Sequence, residues 1–190
     1  MVVAFLFLIS LGLLFVDPNL TAFSWSTFPS FKWLYTLFLH QLDHGNFNHF
    51  IGNYLFMFPY AIYLESKIGR LKFLLFYFTV GCMAAGTQVL ASFTGTESYM
   101  IGSSGAAFGV ALAACMCFND KLWKRCVSLG MIGVMLALQF QASKWQLFSN
   151  VAYFAHIGGG IAGIVLIYFM NPFVKKEKPS RPSPRSRSRR

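Results

Sequence analysis

The chain has 190 residues, 56% of them hydrophobic and only 12% charged, and carries a net charge of +10. A soluble domain of this length has about a quarter of its residues charged, so a water-soluble globular protein is excluded, and the 22 Phe residues suit helices that face lipid. The positive charge is local. Val174 to Arg190 holds eight Lys or Arg and one Glu, which is +7 of the +10; a basic tail beside a membrane span serves anionic lipid or topology before nucleic acid.

Apolar runs divided by polar loops predict six helical spans. The first is Val2 to Val16, ended by Asp17-Pro18. It is short for a bilayer and a signal peptide is the rival reading, but it has no basic leader and no small-residue cleavage site, which favours a retained helix. The connection from Asp17 to Asn46 contains Phe23, Trp25, Phe28, Phe31, Trp33 and Tyr35, and reads as short interfacial helices half sunk among lipid headgroups. The next spans are Phe47 to Leu64 with Pro59 as a kink, Phe73 to Ser92, Ile101 to Phe118, Cys126 to Gln141, and Val151 to Met170, closed by Asn171-Pro172. From Lys175 onward the chain is rich in Pro, Ser and Arg and reads as disordered. The expected division is a membrane domain over 1–173 and a basic cytoplasmic tail over 174–190.

Orientation follows from the cations. Lys67, Arg70 and Lys72 follow the second span, Lys121, Lys124 and Arg125 follow the fourth, and the tail follows the sixth; the other side has only Lys32 and Lys144. Both termini are therefore expected in the cytoplasm, with spans two, four and six running inward from the outer face. The minimal body points to a bacterial cytoplasmic membrane, with an organelle membrane as the alternative. The cysteines, Cys82, Cys115, Cys117 and Cys126, show neither metal spacing nor a disulfide framework, and no metal or cofactor is implied.

Polar residues inside spans are costly and mark function by default. The second span begins Asn48-His49-Phe50-Ile51-Gly52-Asn53, the fourth begins Gly102-Ser103-Ser104-Gly105, and the sixth contains Ala155-His156-Ile157-Gly158-Gly159-Gly160. His49, Asn53, Ser104 and His156 fall in the first third of spans that all start outside, each on the order of 5–10 Å below that face. A serine needs a base to become a nucleophile, and histidine is the usual one. Ser104 and His156 supply such a pair, with no carboxylate inside a span to complete a triad. His49 and Asn53, four apart and so on one helix face, can donate to an oxyanion, as can the Ser104 N–H at a helix N-terminus. Gly105 with Gly109, and Gly159 with Gly163, are small-xxx-small pairs that let two helix backbones approach closely. Taken singly, Ser104 reads as a packing serine, His49 as a partner of a carbonyl and Asn53 as interhelical glue; the four on one level read as a site.

These residues resemble the rhomboid intramembrane serine proteases. The resemblance rests on Gly-Ser-Ser-Gly at 102–105, Ala-His-Ile-Gly-Gly-Gly-Ile-Ala-Gly at 155–163, the His-x-x-x-Asn of His49 and Asn53, and Leu64-Glu65 with Gly69, and covers Phe31 to Met170. It implies a six-helix all-α bundle with an interfacial first loop. Ser104 would be the nucleophile and His156 the general base, with His49, Asn53 and the Ser104 amide as the oxyanion site and Glu65 as a structural residue. It also implies single-span membrane proteins as substrates. Their helices must unwind locally, so small or helix-breaking residues are expected near the cut. Three departures stand out. Phe31-Lys32 occupies the place of a family Trp-Arg, and lysine cannot reproduce a forked guanidinium contact. His40 fits the family loop histidine by its preceding residues and His44 by its distance from His49. Phe108 stands where many relatives carry a tyrosine stacked on the catalytic histidine. The rival functions are a catalytically silent binding module of the same fold and a channel or transporter. An internal repeat or a row of ionisable residues across the bilayer would mark the last, and neither is present in the sequence. Oligomeric state is not legible.

Overall fold

A computed structural model of the chain describes residues 1–92, 99–117, 122–144 and 152–170. Among them lie eight α-helices and no β-strand: α1 (Val2–Leu13), α2 (Pro18–Thr21), α3 (Phe31–Leu39), α4 (Phe47–Ile68), α5 (Arg70–Ser92), α6 (Ser104–Met116), α7 (Leu122–Lys144) and α8 (Tyr153–Met170), with a 3₁₀ turn at Trp25–Thr27. The all-helical expectation holds. Arg70–Ala91 and Tyr153–Met170 are long and apolar enough to cross a membrane, whereas Val2–Leu13, Ser104–Met116 and Cys126–Ala137 are shorter apolar helices. The tail predicted at 174–190 lies outside the described residues, as do Lys121 and Asn171-Pro172.

The shortness of α6 follows from its place. Its sequence, Ser-Gly-Ala-Ala-Phe-Gly-Val-Ala-Leu-Ala-Ala-Cys-Met, is nearly all small residues, and Gly105 through Ala111 and Ala113 through Cys115 are buried. At ~1.5 Å per residue it is about 20 Å long, short of the ~30 Å of a bilayer core, but it is the central helix, packed chiefly on α8 and also on α4 and α5. It begins at Ser104 and not at Ile101 because Gly102 has φ +116°, outside the helical region.

α5 and α8 close around α6 through glycines. A Cβ added to Gly159 would overlap the Gly105 carbonyl oxygen, one on Gly163 would overlap that of Gly109, and one on Gly158 would run into Thr87. The α6 and α8 backbones are therefore in direct contact, as the two glycine pairs predict.

Two polar contacts seat α1 against α4. The Glu65 carboxylate accepts from the Val2 N–H at 2.8 Å and the Val3 N–H at 3.3 Å, capping a helix N-terminus where a negative charge is favoured. Ser10 Oγ and Tyr54 Oη lie 2.8 Å apart in a buried hydrogen bond. The exterior is apolar, with Phe5, Leu55, Leu71, Leu90, Trp123 and Phe169 all exposed, an arrangement suited to lipid and not to water.

The segment between α1 and α4 is built from short helices and aromatic contacts. Trp25 and Phe28 stack at 4.8 Å, and Trp33 meets both edge-on. It is also pinned inward: Phe23 and Met100 exchange backbone hydrogen bonds of 3.0 and 2.8 Å, the Gly102 N–H donates to the His40 carbonyl at 2.8 Å, and Tyr77 Oη donates to the Gln41 carbonyl at 2.8 Å.

Candidate active site

Ser104 is the first residue of α6, so its N–H is one of the four that a helix leaves without an intrahelical acceptor. Its Oγ lies 2.8 Å from His156 Nε2. Ser103, the neighbouring hydroxyl, is fully buried and points elsewhere: its Oγ is 3.0 Å from His44 Nε2. The two serines thus face two different histidines.

His156 sits on the second turn of α8 and is 4% exposed. Phe108 stacks on its ring at 4.7 Å between centroids and 20° between planes, so a phenyl group serves the contact without a hydroxyl. The start of α8 is held from α5, where Gln88 Oε1 accepts from the Ala155 N–H at 3.2 Å. Neither the role of Gln88 nor its depth was legible in the sequence, because a glutamine near a helix end is unremarked by any periodicity.

His49 and Asn53 are brought to the same place by the first turns of α4. The Asn46 side chain caps that helix by accepting from the His49 N–H at 2.9 Å, a standard N-cap bond. A Cβ on Gly102 would lie 2.7 Å from His49 Cε1 and 3.5 Å from Asn53 Nδ2. Only glycine, which tolerates the positive φ and has no side chain, lets both groups close over the backbone just before Ser104. Asn53 Nδ2 is buried and has no hydrogen-bond partner. An unpaired buried donor is costly, and here it faces the segment that carries Ser104.

The two loop histidines take separate places. His44 lies beside the His49–Asn53 side, with its ring 5.3 Å from that of His49. Burial, with the neighbouring His49 second, lowers its pKa to about 3. The neutral ring accepts at Nε2 from the Ser103 N–H at 3.4 Å. His40 lies on the other side of the nucleophile segment, its Nδ1 2.9 Å from the Thr36 carbonyl. It lines a small cavity shared with Gln41 and Ser104.

The four residues singled out in the sequence therefore converge on 102–104, and a fifth, His44, supports that segment from behind. Among the described residues no group of three or more His, Cys, Asp or Glu side chains is placed to hold a metal.

A family model for the Rhomboid domain matches residues 32–173. "Rhomboid-like protein 11, chloroplastic" of Arabidopsis thaliana is 26% identical over 144 residues, covering 68% of this chain and 50% of that protein, so the chain spans about half the length of that curated relative. The matched region contains every residue of the site and all helices from α4 to α8, which makes this a membrane protein, and the chain belongs to the rhomboid family.

Proposed function

We propose that the chain is a serine endopeptidase that cuts transmembrane segments of other proteins. The observation that carries this is the 2.8 Å contact between Ser104 Oγ and His156 Nε2, a hydroxyl within hydrogen-bond reach of a base. The Ser104 hydroxyl donates to Nε2. As Oγ attacks the scissile carbonyl, the proton passes to His156, and the imidazolium then gives it to the departing amine. Water attacks the acyl-enzyme and loses a proton to His156; the tetrahedral intermediate then collapses, Ser104 Oγ leaves and takes that proton back from His156, and the carboxylic acid product departs. The oxyanion of each tetrahedral intermediate is met by Asn53 Nδ2, His49 and the Ser104 N–H, donors set in advance where charge develops.

In this reading six helices, α1 and α4 to α8, span the bilayer with both termini in the cytoplasm, and the aromatic segment between α1 and α4 rests in the outer interface. The partners are single-span membrane proteins and the lipid bilayer, and the membrane is a cytoplasmic one. The test is labelling of the purified protein with a fluorophosphonate, alongside cleavage of a single-span substrate. Labelling that disappears in Ser104→Ala supports the protease. A folded protein that neither labels nor cleaves is the silent binding module.

A further inference from the structure

Ser104 and His156 stand on different helices, and each adjoins in sequence a residue of the α6–α8 contact: Ser104 precedes Gly105, and His156 follows Ala155. A Cβ on Gly105 would lie 3.3 Å from the Ala155 carbonyl oxygen and 3.7 Å from the Ala155 Cβ, so Ala155 packs directly on the Gly105 backbone. The place of His156 before the Ser104 hydroxyl is therefore set by where α8 lies along α6, and what fixes Ala155 fixes the pair.

The first N–H groups of a helix lack intrahelical acceptors, and the residue before the helix ordinarily meets one of them with a Ser, Thr, Asp or Asn oxygen. Before α8 that residue is Ala152. Its carbonyl accepts from the Ala155 N–H at 3.0 Å and the His156 N–H at 3.3 Å, but its methyl side chain offers no acceptor. The oxygen comes from α5 instead. Gln88 Oε1 accepts from the Ala155 N–H at 3.2 Å, and Ala155, the third residue of α8, is a position that an N-cap side chain serves. This N–H is shared between two acceptors, as is common at helix ends. Because the donor is a backbone N–H, the amide atom that faces it is the oxygen. Thr87, the neighbour of Gln88, has its Oγ1 tied to the Met83 carbonyl at 2.9 Å and fills the space where a Cβ of Gly158 would lie. Two consecutive residues of α5 thus grip α8, Gln88 at Ala155 before His156 and Thr87 at Gly158 after it.

We infer that Gln88 is a positioning residue, a helix cap supplied from α5 that holds the first turn of α8 so that His156 Nε2 meets Ser104 Oγ. This rests on the protease reading. Gln88 acts through the Ala155 N–H and not on the substrate. Without its oxygen the first turn of α8 loosens and His156 strays from a contact of 2.8 Å. A misplacement of about 1 Å can cost about 100-fold in rate. The Ala152 carbonyl still holds the same N–H, so the expected loss is smaller, about tenfold in kcat. Positioning of the base acts on the chemical step, so KM should not follow.

The experiment uses the full chain in proteoliposomes with one single-span substrate, and fluorophosphonate labelling carried to completion counts the molecules with an assembled site. Gln88→Met keeps the length and removes the acceptor. It should lower kcat per labelled molecule about tenfold with KM unchanged, and slow labelling without lowering its end point. Ala152→Ser added to Gln88→Met returns an oxygen to the cap position of α8 and should restore kcat to within about threefold of the unaltered protein, a rescue that lost packing around Gln88 would not allow. Gln88→Glu keeps an oxygen before the Ala155 N–H and places negative charge at a helix N-terminus. It should also stay within about threefold, and it decides the question should Gln88→Met fail to fold. Unaltered kcat in Gln88→Met overturns the assignment while leaving the protease reading intact, as does a loss that Ala152→Ser leaves in place, or a fall of about tenfold or more in Gln88→Glu. An unaltered protein that neither labels nor cleaves overturns both.

Discussion

Gly159→Ala separates the chemistry of the site from the stability of the fold. The new Cβ would overlap the Gly105 carbonyl oxygen, a backbone atom that cannot swing aside, so α6 and α8 must move apart. Alanine is better than glycine in a helix by about 1 kcal/mol, and overpacking costs about 1–3 kcal/mol. The net loss of stability is therefore roughly 0–2 kcal/mol. Activity should respond far more. The clash lies one residue from Ser104 and three from His156, whose contact is 2.8 Å. A separation of about 1 Å takes that contact beyond hydrogen-bonding range, and a misplacement of this size can cost about 100-fold in rate. Thermal unfolding, fluorophosphonate labelling and substrate cleavage should be measured on the same preparation. Gly86→Ala is the control, since a Cβ there meets nothing within 4 Å, and it should match or exceed the unaltered protein in stability. If Gly159→Ala labels and cleaves at the unaltered rate, the direct α6–α8 contact does not set the Ser104–His156 geometry and the reasoning fails.

Ser104→Ala should abolish labelling and cleavage with little change in melting temperature, whereas Ser103→Ala should lower activity without abolishing it; the reverse pattern would make Ser103 the nucleophile. His156→Ala should be as damaging as Ser104→Ala, and the double variant little worse than either, because residues acting as one unit are non-additive; multiplicative losses in steady-state cleavage would argue for independent roles. Asn53→Ala should reduce kcat by up to the ~2.7–4 kcal/mol typical of an oxyanion donor, with substrate affinity less affected, and without loss of stability because Nδ2 makes no bond to give up. A large fall in melting temperature with normal turnover per folded molecule would make Asn53 helix glue.

The candidate site was legible because a membrane span has a background against which polar groups stand out. Ser104, His156, His49 and Asn53 are anomalies among apolar neighbours, and the glycine pairs on α6 and α8 announce a close helix contact. What was not legible lies where that contrast disappears. Gln41 sits in the connection between α3 and α4, where a glutamine is ordinary, and its amide packs over Gly81, forty residues on. His40 and His44 could not be told apart by spacing, since a loop does not carry a periodicity that converts residue number into direction. The count of six spans was read from apolar runs, yet α6 is only 13 residues long. It can be short because neighbouring helices, not lipid, surround it, and an isolated stretch of sequence does not say what surrounds it.

The loop histidine that lies behind the nucleophile segment links fold to chemistry. Thr21 Oγ1 donates to Asp43 Oδ2, Asp43 Oδ1 accepts from the His44 N–H at 2.6 Å, and His44 Nε2 bonds Ser103. The segment before α4 thereby holds the residue next to Ser104, and in the proposed protease His44 is a positioning residue. His44→Phe keeps an aromatic ring against His49, Phe50 and Tyr54 but removes the acceptor of the buried Ser103 N–H, at about 1–3 kcal/mol for an unpaired buried donor. Turnover should fall, since the Ser104 N–H follows Ser103. A second readout distinguishes this from general damage. His44 has its pKa lowered from 6.5 to about 3 by burial, so the unfolded chain takes up a proton that the folded protein refuses. Stability from this group is complete above pH 6.5 and is lost as the pH falls from there toward 3, with a slope of up to about 1.4 kcal/mol per pH unit. His40, lowered to about 4 by the same cause, adds its own share. Reversible unfolding in mixed micelles between pH 7 and 4 should therefore show a shallower acid limb in His44→Phe, by about one proton, while the share of His40 persists. An acid limb unchanged by the substitution would mean that His44 is protonated or solvated in the folded protein and does not accept from Ser103 as described.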